Sequence, residues 1–128
     1  MDGSTHVDQV GGKHYNAPEG LGHWDIIEAH DVDYLTATAT KYLTRWRKKG
    51  TPKVDLGKAA SYIEKAILCR PGQGARRLIA QDQLNAFYAA NRIHWMDAEL
   101  ISALLASGSH ADFVATLAKV REMEEHAE

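Results

Sequence analysis

"DYLTATATKYLTRWRKKG", residues 33–50, decides the fold. Thr36, Thr38 and Thr40 alternate with alanines as residues of a half-buried strand would. A second pattern competes with that alternation and runs further along the chain. Leu35, Ala39, Tyr42, Leu43 and Trp46 recur at helical spacing. Asp33 stands where an N-cap belongs, and Gly50 can close the segment in the left-handed conformation. The spacing and the caps together predict a helix over about 34–49.

Working outward, Pro52 blocks continuation of that helix. Asp55 is then expected to cap a second helix, "DLGKAASYIEKAILC", residues 55–69. Leu56, Ala60, Ile63 and Ile67 form its inward stripe, and Gly57 either weakens the first turn or lets another segment approach closely. The short connection predicts an antiparallel helical hairpin. Before it, a glycine-rich irregular arm is expected to hold one short helix, His23 to His30, with Trp24, Ile27 and Ile26 inward. After it, "RPGQGA" reads as a linker. Helical segments are expected from Arg76 to Ala90, from an Asp97 cap to Ser107, and onward from a Ser109 cap, with Gly108 as a tight turn. No repeat and no strand pattern emerges. The expected class is all-α: a helical hairpin core, an irregular N-terminal loop before it, and about three further helices after it. The expected division is a phosphate-binding unit over 1–69 and a helical extension over 76–128.

Composition sets outer limits. The chain has 128 residues and a net charge of −2, which argues against a general electrostatic nucleic-acid binder. The lone Cys69 cannot form an internal disulfide, which suits a reducing cytoplasm, and it is expected to be a buried filler. No apolar run approaches a membrane span, and the polar start does not read as a signal peptide. The glycine-rich phosphate loop, the dinucleotide fingerprint and the familiar metal motifs are missing. The seven histidines are scattered, and no metal site is expected.

Charge is polarised along the chain. Lys41, Arg45, Arg47, Lys48, Lys49, Lys53 and Lys58 face a single nearby acid, Asp55, while the C-terminus is acidic. Lys41 and Arg45 are one helical turn apart, with Tyr42 and Trp46 on the adjoining strip. Lys58, Tyr62 and Lys65 make a second strip on the next helix. Such strips are commonly just the solvated rim of a core. Brought together across a hairpin, they would suit a phosphorylated aromatic ligand, because arginine grips phosphate oxygens in pairs and aromatic rings stack on a base. The stretch "GGKHYN", residues 11–16, is poor helix and strand material and reads either as a leader or as a loop that delivers Lys13, His14 and Tyr15 to a site built elsewhere.

Four pieces in order, "KHY", "WDIIEA", "KYLTRWRKKG" and "DLGKAASYIEKAI", carry a resemblance. They are similar to the SaV-like domain family of tailed-phage proteins, some of whose members are described as nucleotide kinases. The match covers roughly residues 12–68, about half the chain. It departs where "TATAT" replaces a common Gly-Asn pair and where Gly57 replaces a common charged residue. The resemblance implies a nucleotide-binding protein in the cytoplasm of an infected bacterium, with transfer of a phosphoryl group to a (deoxy)nucleoside monophosphate as its activity. Lys13, Tyr15, Lys41, Tyr42, Arg45, Lys58 and Tyr62 would bind the ligand, and His14 or Glu28 would handle the proton. No permanently bound cofactor is implied; Mg²⁺ would arrive with the nucleotide. The alternatives are a nucleotide sponge or anti-defence protein that binds without turnover, and a basic helix that docks on a host partner. A homo-oligomer is expected, built through Leu100, Ile101, Leu104, Leu105, Phe113, Val114 and Leu117.

Overall fold

The computed structural model describes residues 20–128, and every described element is helical. Helix α1 spans His23–His30, α2 Tyr34–Arg45, α3 Pro52–Cys69, α4 Gln81–Asn91, α5 Trp95–Ser102 and α6 His110–His126; a π-helical turn, Ala103–Ser107, continues α5.

Helix α2 resolves the strand-or-helix conflict through its threonines. Asp33 caps it, accepting from the Thr36 backbone N–H at 3.1 Å. Thr38, Thr40 and Thr44 each donate their hydroxyl to the carbonyl four residues back, at 2.7–3.0 Å. A threonine bonded this way hides its own polarity, so Thr40 sits in the core beside Ala39 and Leu43, and Thr36 joins it by donating its hydroxyl to the Asp33 carboxylate at 3.0 Å. The regular helix stops at Arg45, and a tight turn carries the chain to Gly50, whose φ of 82° belongs to the left-handed region.

Helix α3 begins earlier than the capping reading expects. Pro52 occupies its first turn, where the ring fixes φ and no intrahelical donor is lost. Asp55 therefore lies inside the helix and is buried; it does not cap it. The same correction applies to Asp97. His94 caps α5 by accepting from the Met96 N–H at 3.1 Å, leaving Asp97 one turn in and buried. Ser109 does cap α6, in a reciprocal box with Asp112.

Helices α2 and α3 pack side by side, and α6 returns along α3. One buried cluster joins them through Leu43, Leu56, Ile63, Phe113 and Val120, and extends to Leu84 and Phe87 of α4. Ile101, Leu104, Leu105 and Phe113, expected at an interface between copies, are spent in this internal core, whereas Val114 is exposed. Residues 75–79 form an irregular stretch tied to the π turn and its cap, with the Ala75 N–H on the Gly108 carbonyl and the Ile79 N–H on that of Leu105, both at 2.7 Å. Helix α4 starts at Gln81, later than the Arg76 expected, because this stretch gives its donors to the π turn. A Cβ at Gly74 would overlap the Gly108 carbonyl, so only glycine admits this approach.

Three side chains reverse their expected placement. Trp24 is exposed, and Ile26 carries the inward face of α1. Cys69 is exposed. Arg70, in the stretch read as a linker, is buried against Asp33.

Candidate functional site

The basic run from Lys41 to Lys58 divides into two groups with different work. Arg47 donates to the buried Asp97 carboxylate at 2.7 and 3.3 Å, and the Trp46 indole N–H donates to the same carboxylate at 3.1 Å. The Arg47 guanidinium also lies over the Trp46 ring, 4.2 Å from its centre. Lys48 donates to the Asn91 carbonyl at 3.0 Å. Partial burial holds its ammonium below the usual lysine range, a shift that the Asp97 charge opposes. This group fastens the end of α2 to α4 and α5.

The second group gathers around one ring. Lys41 Nζ lies 4.9 Å, Arg45 Cζ 5.1 Å and Lys58 Nζ 5.5 Å from the centre of the Tyr42 ring. Tyr62 stacks on Tyr42 with 6.3 Å between centres and an 18° tilt. The aromatic quadrupole attracts all three cations, which would otherwise repel one another. Tyr34, exposed at the first position of α2, meets Tyr62 edge-on at 6.0 Å. A hydrogen bond with Tyr34 and the nearby Tyr34 charge raise the Tyr62 hydroxyl above the ordinary tyrosine value. Sequence reasoning missed Tyr34. The signal was the spacing of Tyr34 and Tyr42, eight residues or about two turns apart on one face.

Arg45 is held from below. Its Nε lies 3.7 Å from Asp55 Oδ2, and the Asp55 side chain is only 2 % exposed against 24 % for Arg45. Asp55 thus anchors the arginine, and one helix turn carries both Asp55 and Lys58 to the same edge of the hairpin.

His23 was read only as part of a scattered set. Its Nε2 lies 2.9 Å from the Thr40 hydroxyl. The Thr40 hydroxyl proton is committed to a carbonyl of its own helix, so the imidazole is the donor in this pair. Burial first, and then the Lys41 charge, push the His23 pKa down to about 4. The ring is therefore neutral near pH 7, next to Lys41 and Thr40.

The structure brings together Lys41, Tyr42, Arg45, Lys58 and Tyr62. Glu28 is exposed on α1, with no hydrogen bond or ion pair to this cluster among the described residues. Lys13, His14 and Tyr15 lie outside the described residues. A scan of family models found no match, and searches against curated proteins and solved structures likewise returned none.

Proposed function

We propose that this is a phage nucleotide-binding protein whose phosphate grip is the Tyr42 cluster. The observation that supports it is the convergence of Lys41, Arg45 and Lys58 within 5.5 Å of one ring centre. Three cations held this closely repel one another, and a phosphate relieves that repulsion. Arginine adds a paired hydrogen bond to phosphate oxygens, and the tyrosine row offers flat surface to a base. The ordered motifs add the phage setting in a bacterial cytoplasm. They also add the extension from binding to phosphoryl transfer onto a (deoxy)nucleoside monophosphate.

Binding without turnover has its own support. Asp55, the carboxylate paired with Arg45, is buried beneath it and out of a ligand's reach. Glu28 stands away from the cluster's contacts. A kinase would thus need its base from elsewhere, with His14 the first choice, and would carry Mg²⁺ in on its nucleotide.

Calorimetric titration with nucleoside mono- and triphosphates tests the grip. Lys41 and Lys58 are exposed, so Lys41→Ala and Lys58→Ala remove charge without disturbing the core. Each should weaken binding by roughly 1.5–3 kcal/mol, the scale of a charged hydrogen bond. Chromatography of the same mixtures separates a kinase from a sponge: new nucleotide species mean transfer, unchanged ligand means sequestration. Wild-type affinity retained in both variants would sink the cluster as a phosphate site.

A further inference from the structure

The Tyr42 cluster does not end at the hairpin. Lys58 and Tyr62 also line an open groove of about 530 Å³ between α3 and α6. That volume lies within the range of small-molecule sites, roughly 300–1,000 Å³, and is far larger than one phosphate group needs. Its wall is mostly carbon, from side-chain stems and the Tyr62 ring, while its charged tips are mainly basic. Lys53 also borders it, but its amine donates to the Glu124 carbonyl at 3.0 Å. Arg121 reaches in from α6, 41 % exposed, 3.0 Å from Glu124 Oε1 and 3.5 Å from Glu64 Oε1. Those two contacts leave guanidinium N–H groups for a further acceptor.

Gly57 gives the groove its floor. Its φ is not positive, so the backbone does not require glycine there, and glycine weakens a helix interior. A Cβ at this position would lie 2.8 Å from Glu124 Oε2. The missing side chain is what admits the Glu124 carboxylate of α6 against α3 at this level.

We infer that the groove takes the nucleoside body of the ligand whose phosphate the Tyr42 cluster holds, and that Arg121 of α6 is one of its binding residues. The inference rests on the nucleotide reading above. Lys58 and Tyr62 join the two parts: Lys58 reaches the phosphate, and Tyr62 turns the ligand from the α2–α3 edge into the α3–α6 groove. Helix α6, outside the four motifs, becomes one wall of the site. A carbon-rich wall with a basic rim matches a nucleoside phosphate, with its flat apolar base, polar sugar and anionic end.

Titration of the full chain with the four common deoxynucleoside monophosphates, and separately with inorganic phosphate, tests this. The variants are Arg121→Gln, Gly57→Met, which fills the floor, and Lys58→Ala, each with a melting curve. Arg121→Gln and Gly57→Met should each lower affinity for the best mononucleotide about tenfold or more, while leaving phosphate binding within about twofold. Lys58→Ala should lower both. Should Gly57→Met melt early, Arg121→Gln decides, because its side chain lies at the surface. Mononucleotide affinity kept in Arg121→Gln but lost in Lys58→Ala overturns the groove and leaves the phosphate grip standing. Mononucleotide affinity lost in neither variant, or absent in wild type, overturns the grip and the groove together.

Discussion

The two ends of the α2–α3 hairpin each carry an arginine on a buried aspartate, and the pairs do different work. At the open end, Arg70 is 6 % exposed and lies 3.0 Å from Asp33 Oδ2, with a second contact to the Thr36 hydroxyl at 3.3 Å. Its guanidinium also lies 5.8 Å from the centre of the Phe113 ring, beneath α6. Such a pair is enclosed by its own fold. At the turn end, Arg45 is 24 % exposed, 3.7 Å from Asp55, and lies beside the Tyr42 ring that Lys41 and Lys58 also approach. The same two residue types make an enclosed lock beneath α6 at one end and, in the proposed nucleotide reading, a phosphate grip at the other. Distance and cover separate the two roles; residue type does not.

Breaking the lock should have the largest effect. Arg70→Met leaves Asp33 buried without its counter-charge and should cost about 3–5 kcal/mol, read by urea unfolding at pH 7. Loss of less than about 1 kcal/mol would mean that the pair is ornamental.

Acid sharpens the comparison, because the lock and His23 fail in separate windows. Burial raises the Asp33 pKa, but hydrogen bonds from Thr36 and Arg70 outweigh it and leave the carboxyl below its ordinary value. A depressed carboxylate stabilises the fold above pH 3.8 and stops doing so as pH falls through the folded value. His23 acts earlier. Its pKa falls from 6.5 to about 4 on folding, so the unfolded chain takes up the proton first. The stability it contributes is complete above 6.5 and drains away toward pH 4, on the order of 3 kcal/mol. Unfolding free energies at pH 7.5 and 5 should differ in wild type and much less in His23→Gln. An unchanged slope in the variant would assign the acid sensitivity elsewhere.

At the grip, the choice of substitution matters. Arg45→Ala would strand the buried Asp55 and confuse lost folding with lost binding. Arg45→Lys keeps the charge and removes the paired donors. It should weaken nucleotide binding by roughly 1.5–2 kcal/mol while moving the melting temperature little. Equal affinity, measured by calorimetry, would reduce Arg45 to a plain counter-charge for Asp55.

Gly57→Ala should give the smallest change. Alanine gains up to roughly 1 kcal/mol in a helix interior, and displacing the flexible Glu124 side chain gives part of it back. A net shift in stability below about 1 kcal/mol, of either sign, is expected from thermal melts. A larger loss would mean that the α3–α6 contact is tighter than a side-chain tip can relieve.

Much of the site was legible in local spacing. Lys41, Tyr42 and Arg45 share one strip of α2, and Lys58 and Tyr62 share one of α3, so a hairpin that joined the strips had to bring them close. Tyr34 carried the same kind of spacing signal with Tyr42 but was passed over, whereas Arg121 could not be read this way, because it comes from a helix with no sequence link to the hairpin. Nor could the basic run be divided in advance. Arg47 faces Asp97, fifty residues later in the chain, and nothing local marks it as different from Arg45.

The sequence by itself determined the all-α class, the Asp33 and Ser109 caps, the Gly108 turn and the pairing of α2 with α3. These follow from helical periodicity and from backbone groups satisfied within a few residues. Tertiary structure alone decided which aspartates cap and which are buried, which arginine is enclosed and which reaches the surface, and that the linker residue Arg70 belongs to the core. The physical reason is that burial is set by which helix lies on top. Helix α6 covers Arg70 through Phe113 and reaches Gly57 only through the Glu124 side chain, and no local signal carries either contact.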